Sequence, residues 1–439
     1  MLTRERVERY IPKRGEEFDV IVCGGGPAGI GAALASRHVG AKTLILEATS
    51  TFGGVAMASM WMPVNRVTLD GVTAEGGKRG GVFDKFVAAI KKYGPEAYTH
   101  CTHPITKLRG GINIHPEYLR IAVFDLLEEA GCYYRLYSPV FEVVKENNVV
   151  TGVKVTTKDG MLETFKGKVI IDCTGDGDVS LYAGVEMQKG RESDGLFMPP
   201  SLQWCISNVD VERSYEFQHE HKEEYKALLN EMKRQISCSD WYELLEASVP
   251  DTLMVNNGGP KWSNIDMTQE TDMTVAERMG IQHVIDFMKF ARENKWPGLE
   301  NCYLMRAGAR VAVRDTRRIV GEYLITHEDA MNDTQFEDIV SRRYGFIDAV
   351  GYFQAQMVSG HPYPYRCLVP AKVDGLLAAG RCASATHLGF ASGRGMGENM
   401  GMGQAAGVAA AVSVEQGVLP RNVDVKKVQE IIRATGVRL

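Results

Sequence analysis

The sequence predicts an α/β protein: a parallel sheet with a small antiparallel β layer, into which an α+β unit is inserted. Three observations carry this. Residues 18–47, FDVIVCGGGPAGIGAALASRHVGAKTLILE, run through a β-branched stretch, a glycine turn, a small-residue helix and a second apolar stretch. Two more short apolar runs, KVIIDCT at 168–174 and GLLAA at 375–379, each lead into a glycine turn. Between them the block 201–297 is charged and largely helical in pattern. The expected units are 1–195, an insert at 196–300, and 301–439, which returns to the first unit.

Composition narrows the class. A chain of 439 residues is too long for one ordinary domain. Apolar content of 44% and charged content of 24% describe a globular protein. A net charge of −5 argues against a general nucleic-acid binder. Nine cysteines, an odd number with no C-x-x-C pair, indicate reduced thiols and neither a disulfide framework nor a zinc site. Residues 1–17 are charged and lack the apolar core of a secretory signal, and no apolar run reaches the roughly 18 residues of a spanning helix. A soluble cytoplasmic protein is expected, with no membrane or nucleic-acid partner.

Taken in order, residues 19–23 form a strand, 28–38 a helix closed by Gly40, and 41–46 a second strand ending in Glu47. Gly24, Gly26 and Gly29 fit G-x-G-x-x-G around Pro27 and Ala28. The first glycine permits the tight turn, the second lets a pyrophosphate approach the backbone, and the third lets helix and strand pack closely. The helix N-terminus offers free N–H groups to phosphate. Glu47 stands where an acid accepts hydrogen bonds from an adenosine ribose, which fits FAD or NAD and disfavours NADP. The alternative is a βαβ unit that binds no nucleotide.

Gly53 and Gly54 follow, allowing close backbone approach, then a Met- and Ala-rich stretch at 55–62 and a polar loop or lid at 63–81. His100, Cys101 and His103 lack an acid and a second cluster, so no metal site is expected. A helix is predicted at 82–93 and another at 116–130, the latter opened by Pro116 and stopped by Gly131. Strands at 133–144 and 149–157 flank the hairpin turn Asn147-Asn148. The strand 168–174 ends in GDGD at 175–178, either a ligand-binding turn at the carboxyl edge of the sheet or an ordinary turn.

Within the insert, 211–247 and 274–295 read as helical and 256–266 as a loop exposing Trp262, with His219, His221 and His283 on the surface. Residues 304–323 carry Arg306, Arg310, Arg314, Arg317 and Arg318, either an anion site or a salt-bridged element. Residues 336–355 read as helix, and 361–370 as an extended segment presenting Tyr365 and Arg366. The strand at 375–379 passes Gly380-Arg381 into a loop at 382–397, then a helix at 398–414 whose N-terminus is a second anion-binding end.

With these pieces assembled, the chain resembles the FAD-dependent oxidoreductases of the glutathione-reductase-like superfamily. GGGPAG with Glu47, HPEYLRIAVFDLLEEAG, VIIDCTGDGD, RDTRRIVGEY, YPYRCLVP and LLAAGRCASATH with GMGQAAGVAAA carry the resemblance over roughly three quarters of the chain. It implies a Rossmann-like FAD-binding domain. Gly24, Gly26 and Gly29 would line the pyrophosphate, Glu47 would bind ribose, Gly54 would lie toward the flavin, and Val140 would contact adenine. Gly175 and Asp176 would flank the adenosine half. Gly380 and Arg381, with the amides from Gly397 through Asn399 to Met400, would hold the ribityl chain, phosphates and flavin O2. The segment GFASGRGMGENMG departs from relatives of this kind and leaves the substrate open.

The chemistry expected is hydride transfer between flavin N5 and a small polar substrate, neutral or anionic. His387 is the candidate acid or base, with Arg394 and Arg366 as anchors for substrate or flavin oxyanion; each has an alternative as a purely structural residue. Glu398 reads as a helix cap. His387 and Cys382 are candidates for covalent attachment of the flavin. The electron acceptor stays open among oxygen, quinone, a protein carrier and nicotinamide, as does assembly into a homo-oligomer. Two other readings are an electron-transfer subunit of a larger complex and a biosynthetic protein that uses the dinucleotide as reactant or scaffold.

Overall fold

A computed structural model of the chain describes residues 2–58, 63–64, 79–100, 111–236, 242–257, 259, 264–344, 347–349, 352–354 and 360–439. Its central sheet has the strand order Tyr133–Arg135, Thr43–Leu46, Glu17–Cys23, Leu162–Asp172, Val149–Thr156, Val140–Glu146, and Leu376–Ala378 also pairs with Leu162–Asp172. The strand Leu162–Asp172 belongs to two layers. Its second half runs parallel to Glu17–Cys23 (Val20 opposite Val169) and to Leu376–Ala378 (Leu376 opposite Ile170). Its first half runs antiparallel to Val149–Thr156, with Gly152 opposite Lys166. Burial follows the change of layer, alternating at first and then continuous over the last four residues, as a strand covered on both faces requires.

Asn147 and Asn148 have φ of 46° and 69°, the left-handed pair that a two-residue hairpin demands. The single strand expected at 133–144 is two. Tyr133–Arg135 is a parallel edge strand beside Thr43–Leu46, and the chain breaks at Tyr137 (φ 52°) and Pro139 before Val140–Glu146 starts the antiparallel layer. The helix Pro116–Ala130 ends at Gly131 in the left-handed conformation.

The helices Pro27–His38 and Met396–Gln416 pack backbone to backbone. A Cβ on Gly403 would lie 1.9 Å from the Ala28 carbonyl oxygen, and one on Gly407 would lie 2.2 Å from that of Ala32. Small residues four apart thus bring the two N-termini to one end of the sheet.

A second buried cluster draws on Leu202, Trp204, Phe287, Trp296 and Val311. Its antiparallel sheet has the order Tyr242–Glu246, Thr252–Asn257, Trp204–Ser207, Tyr303–Ala307, so this layer continues past residue 300. The stretch 211–247 holds two helices, Val211–His219 and Lys222–Gln235, followed by the strand Tyr242–Glu246. His283, expected on the surface, is 5% exposed; it hydrogen-bonds Tyr242 and meets Trp204 edge-on inside this core.

Residues 336–355, expected to be helical, contain the strands Ile339–Arg343, Ile347–Ala349 and Tyr352–Gln354. Pairing of the first with His361–Pro364 overrides the local pattern. The loop expected at 382–397 contains the helix His387–Ala391, capped by Thr386. Cys101, His103, Trp262 and residues 65–78 of the expected lid lie outside the described residues. Among the described residues, no helix is long and apolar enough to cross a membrane and no cluster of metal-ligating side chains occurs.

Candidate active site

A cleft of about 520 Å³ opens where the carboxyl ends of the parallel strands meet the inserted sheet. Gly24 opens its floor with φ 102°, and a Cβ there would lie 2.3 Å from the carbonyl oxygen of Cys173 on the adjacent strand, so only glycine fits. Gly26, N-cap of Pro27–His38, and Gly395, N-cap of Met396–Gln416, both line the cleft, and neither helix start carries a side-chain cap. Two bare N-termini with unused N–H groups therefore face one cavity, an arrangement suited to phosphate or another oxyanion.

Glu47 closes the far edge. Its Oε2 accepts from Gly25 N at 2.7 Å, and its Oε1 accepts from the Thr49 backbone N and Oγ1, each at 2.8 Å. The carboxylate is thereby fixed with lone pairs left over for hydroxyl donors. Beneath the cleft, Asp172 caps the following turn by accepting from Thr174 and Ser180. Arg381 binds Asp176 at 2.8 Å, and Thr316 donates to the same Asp176 oxygen, also at 2.8 Å. Arg317 pairs with Asp178. Burial, with Asp176 and Asp172 nearby, still pushes the Asp178 carboxyl up to about 6.

The opposite wall is cationic. Arg314 donates to the carbonyls of Pro199 (2.7 Å) and Asn257 (3.0 Å). Burial first, and the neighbouring charge of Arg394 second, lower its pKa to about 10. Arg394 binds Asp348 at 3.0 Å, and Arg310 lines the same wall. Gln203 and Asn256, joined by a 2.6 Å hydrogen bond, extend this wall from the inserted sheet.

Of the residues singled out from sequence, Gly24, Gly26, Pro27, Ala28, Glu47 and Gly54 line the cleft. So do Val140, Gly175, Asp176, Gly380, Arg381, Arg394 and Asn399. Others lie behind it. A Cβ on Gly29 would sit 1.8 Å from the Gly24 carbonyl oxygen, which makes Gly29 a helix-to-strand contact. Gly53 packs against Leu119 and Met57, Gly397 faces Arg79 and Phe83, and Met400 is 1% exposed with its carbonyl against Gly31.

His387 is also placed differently from the loop position expected of an acid or base. It is fully buried, with Nδ1 3.1 Å from Asp315 Oδ2, and Arg318 holds the other Asp315 oxygen at 2.6 Å. Burial raises the Asp315 pKa, but His387 and Arg318 outweigh it, so the net shift is downward. Cys382 is buried against Asp172 O, and burial pushes its thiol well above the usual range, so neither His387 nor Cys382 presents a nucleophile to the cleft. Arg366 lies on another face, gripped by Asp338 at 3.0 and 3.2 Å and stacked over Tyr323. The arginine-rich segment splits: Arg310 and Arg314 reach the cleft while Arg318 is structural. Gln203, Asn256 and Asp348 were missed. Their only signal was polarity inside otherwise apolar or strand-like runs.

A parallel sheet with a glycine turn, an acid closing the second strand and two bare helix N-termini at one cleft defines a dinucleotide-binding protein of the Rossmann type. The sequence model of the family described as FAD-dependent oxidoreductase matches residues 19–432, and the chain belongs to that family. It is an enzyme, and its cofactor is FAD.

A digeranylgeranylglycerophospholipid reductase of Thermoplasma acidophilum is 25% identical over 203 residues, 46% of this chain and 49% of that protein. A 3-oxosteroid 1-dehydrogenase of Mycolicibacterium smegmatis is 40% identical over 73 residues, 16% of this chain and 11% of that protein. The matches thus span half or less of these relatives. Among solved structures, a myxobacterial chondrochloren halogenase, a variant of FAD-dependent halogenases, superposes with a TM-score of 0.51 at 13% identity over 94% of this chain and 78% of that one. A geranylgeranyl bacteriochlorophyll reductase-like protein of T. acidophilum gives 0.46 at 15% identity, over 95% and 84% of the two chains. Likeness at this identity bears on the fold alone.

Proposed function

We propose that this enzyme exchanges a hydride with a small, polar, anionic organic substrate held between the cofactor sheet and the inserted sheet. The observation that carries the reading is the cleft itself, lined together by bare helix N-termini and by the guanidinium groups of Arg310, Arg314 and Arg394. The residues fit FAD. Gly24 and Gly26 leave room for phosphates at the first helix start, Glu47 suits a ribose, and Asn399 presents a buried Oδ1 that lacks a partner. Bound FAD supplies a two-electron acceptor or donor, and the chain supplies placement and charge. Arg314 and Arg394 orient a substrate carboxylate by paired N–H donors and favour negative charge beside the reacting centre. The N-terminus at Gly395 adds further donors on the cofactor side.

The inserted sheet walling one side of the cleft favours turnover of a small molecule over service as an electron-transfer subunit. The first test is the visible spectrum of the purified protein, repeated on the supernatant after acid precipitation. Yellow colour released into the supernatant is expected, because His387 and Cys382 are sealed in the core. Anaerobic bleaching by a panel of small carboxylates then tests the substrate class. A flavin that binds but is bleached by no anionic compound, only by neutral ones, would count against it.

A further inference from the structure

We propose that the cleft selects a carboxylate whose neighbouring carbon carries an O–H or N–H donor: a hydroxy acid or an amino acid. This deepens the preceding reading and rests on its anionic substrate. Gln203 lines the cleft, yet the residue is only 3% exposed. Its Nε2 is fixed on Asn256 Oδ1 at 2.6 Å, while its Oε1 is sealed from solvent and has no hydrogen-bond partner. A buried acceptor in that condition is unfavourable unless something arriving in the cleft donates to it.

The donors for a carboxylate are adjacent. Asn256 holds Gln203, and the carbonyl of the next residue, Asn257, holds Arg314. Arg314 has both terminal nitrogens on backbone carbonyls and no carboxylate partner among the described residues. Arg394 keeps a buried Nε with no hydrogen bond, and Arg310 shares the wall. Among the described residues Asp348 is the carboxylate paired with this group, so three guanidinium groups there face one acid. Of the acidic residues elsewhere in the cleft, Asp176 pairs with Arg381, Asp178 with Arg317 and Glu398 with Arg79, while Glu47 is held by backbone and hydroxyl donors at the far edge. Because the residues that hold them, Asn256 and Asn257, are consecutive on one strand, a ligand that meets both a guanidinium group and the lone acceptor needs an anion and a donor close together. A site built around such an acceptor discriminates strongly against the analogue without the donor.

Binding to the FAD-loaded protein is measured by calorimetry with three acids on one three-carbon skeleton: propionate, lactate and alanine. The expected result is at least tenfold tighter binding of lactate or alanine than of propionate, and whichever of the two binds tighter identifies the donor as O–H or N–H. Gln203→Met, which keeps the side-chain length and removes the acceptor, should bring that acid down to the propionate level and leave propionate unchanged. Arg314→Met should weaken all three. Propionate binding as tightly as the other two in the unmodified protein would overturn the donor requirement, a comparison that needs no variant to fold. Equal weakening of all three acids by Gln203→Met would overturn it as well. Failure of all three to bind would sink the anionic-substrate reading beneath it, and so would binding of all three that Arg314→Met leaves unchanged.

Discussion

His387, Asp315 and Arg318 form a buried charged cluster in which each member depends on the next. Arg318 also donates to the carbonyls of Ala385 and Gly190, so the cluster ties the helix His387–Ala391 to the strand Arg317–Ile319. Asp315→Ala should therefore destabilise the protein by about 3–5 kcal/mol, because it removes the buried carboxylate that Arg318 binds and leaves it, among the described residues, only the half-exposed Glu192 at 4.0 Å; urea unfolding measures this. Arg366→Ala, which removes an exposed pair, should cost about 0.2–1 kcal/mol and leave flavin binding unaltered. His361 supplies an acid limit. Burial first, then the charge of Arg343, depresses its pKa to about 4, while Nδ1 bonds Ala330 O at 2.8 Å. The unfolded chain takes up this proton near pH 6.5, the native state only near 4. The contribution is thus complete above pH 6.5 and is lost as pH falls to 4, on the order of 3 kcal/mol. His361→Leu should flatten the acid limb of a stability–pH curve, and an unchanged slope would refute the assignment.

At the scale of elements, the contact between Pro27–His38 and Met396–Gln416 has no room for a side chain. Gly403→Val should destabilise by at least about 3 kcal/mol and lower FAD affinity with it, since it displaces the helix whose N-terminus faces the cleft. Thermal unfolding together with flavin titration tests this, and a stable variant that keeps full affinity would contradict the coupling. The helices Pro27–His38 and Pro116–Ala130 and the glycine turn were legible in the sequence because Pro116, Gly131 and the spaced glycines each have one physical use. The break that separates Tyr133–Arg135 from Val140–Glu146 and the strand Ile339–Arg343 were not, since three to five residues carry too little periodicity and their pairing partners lie elsewhere in the chain. The cleft followed the same division. Its glycines were legible from the turn they make, whereas Gln203 and Asn256 acquire meaning only when the inserted sheet brings them to the cleft with Arg314.

For the whole molecule, the second core holds Val311, while Ile319 belongs to a core of the central sheet. We therefore propose that the insert ends near residue 313 and not near 300. Stripping FAD should lower the unfolding temperature, because a ligand at 100 times its Kd contributes about 2.7 kcal/mol. Calorimetry of the holo and apo forms measures this, and coincident transitions would mean that the cofactor is not bound by the folded cleft alone. The double membership of Leu162–Asp172 also bears on synthesis. Its partner Leu376–Ala378 leaves the ribosome roughly 200 residues later, on the order of 10–40 s at ordinary translation rates. Throughout that interval the apolar end of the nascent sheet has an unpaired edge, the kind of surface that recruits foreign strands. Chaperone demand should accordingly peak for ribosome-bound chains arrested between these two strands and fall once the second has emerged.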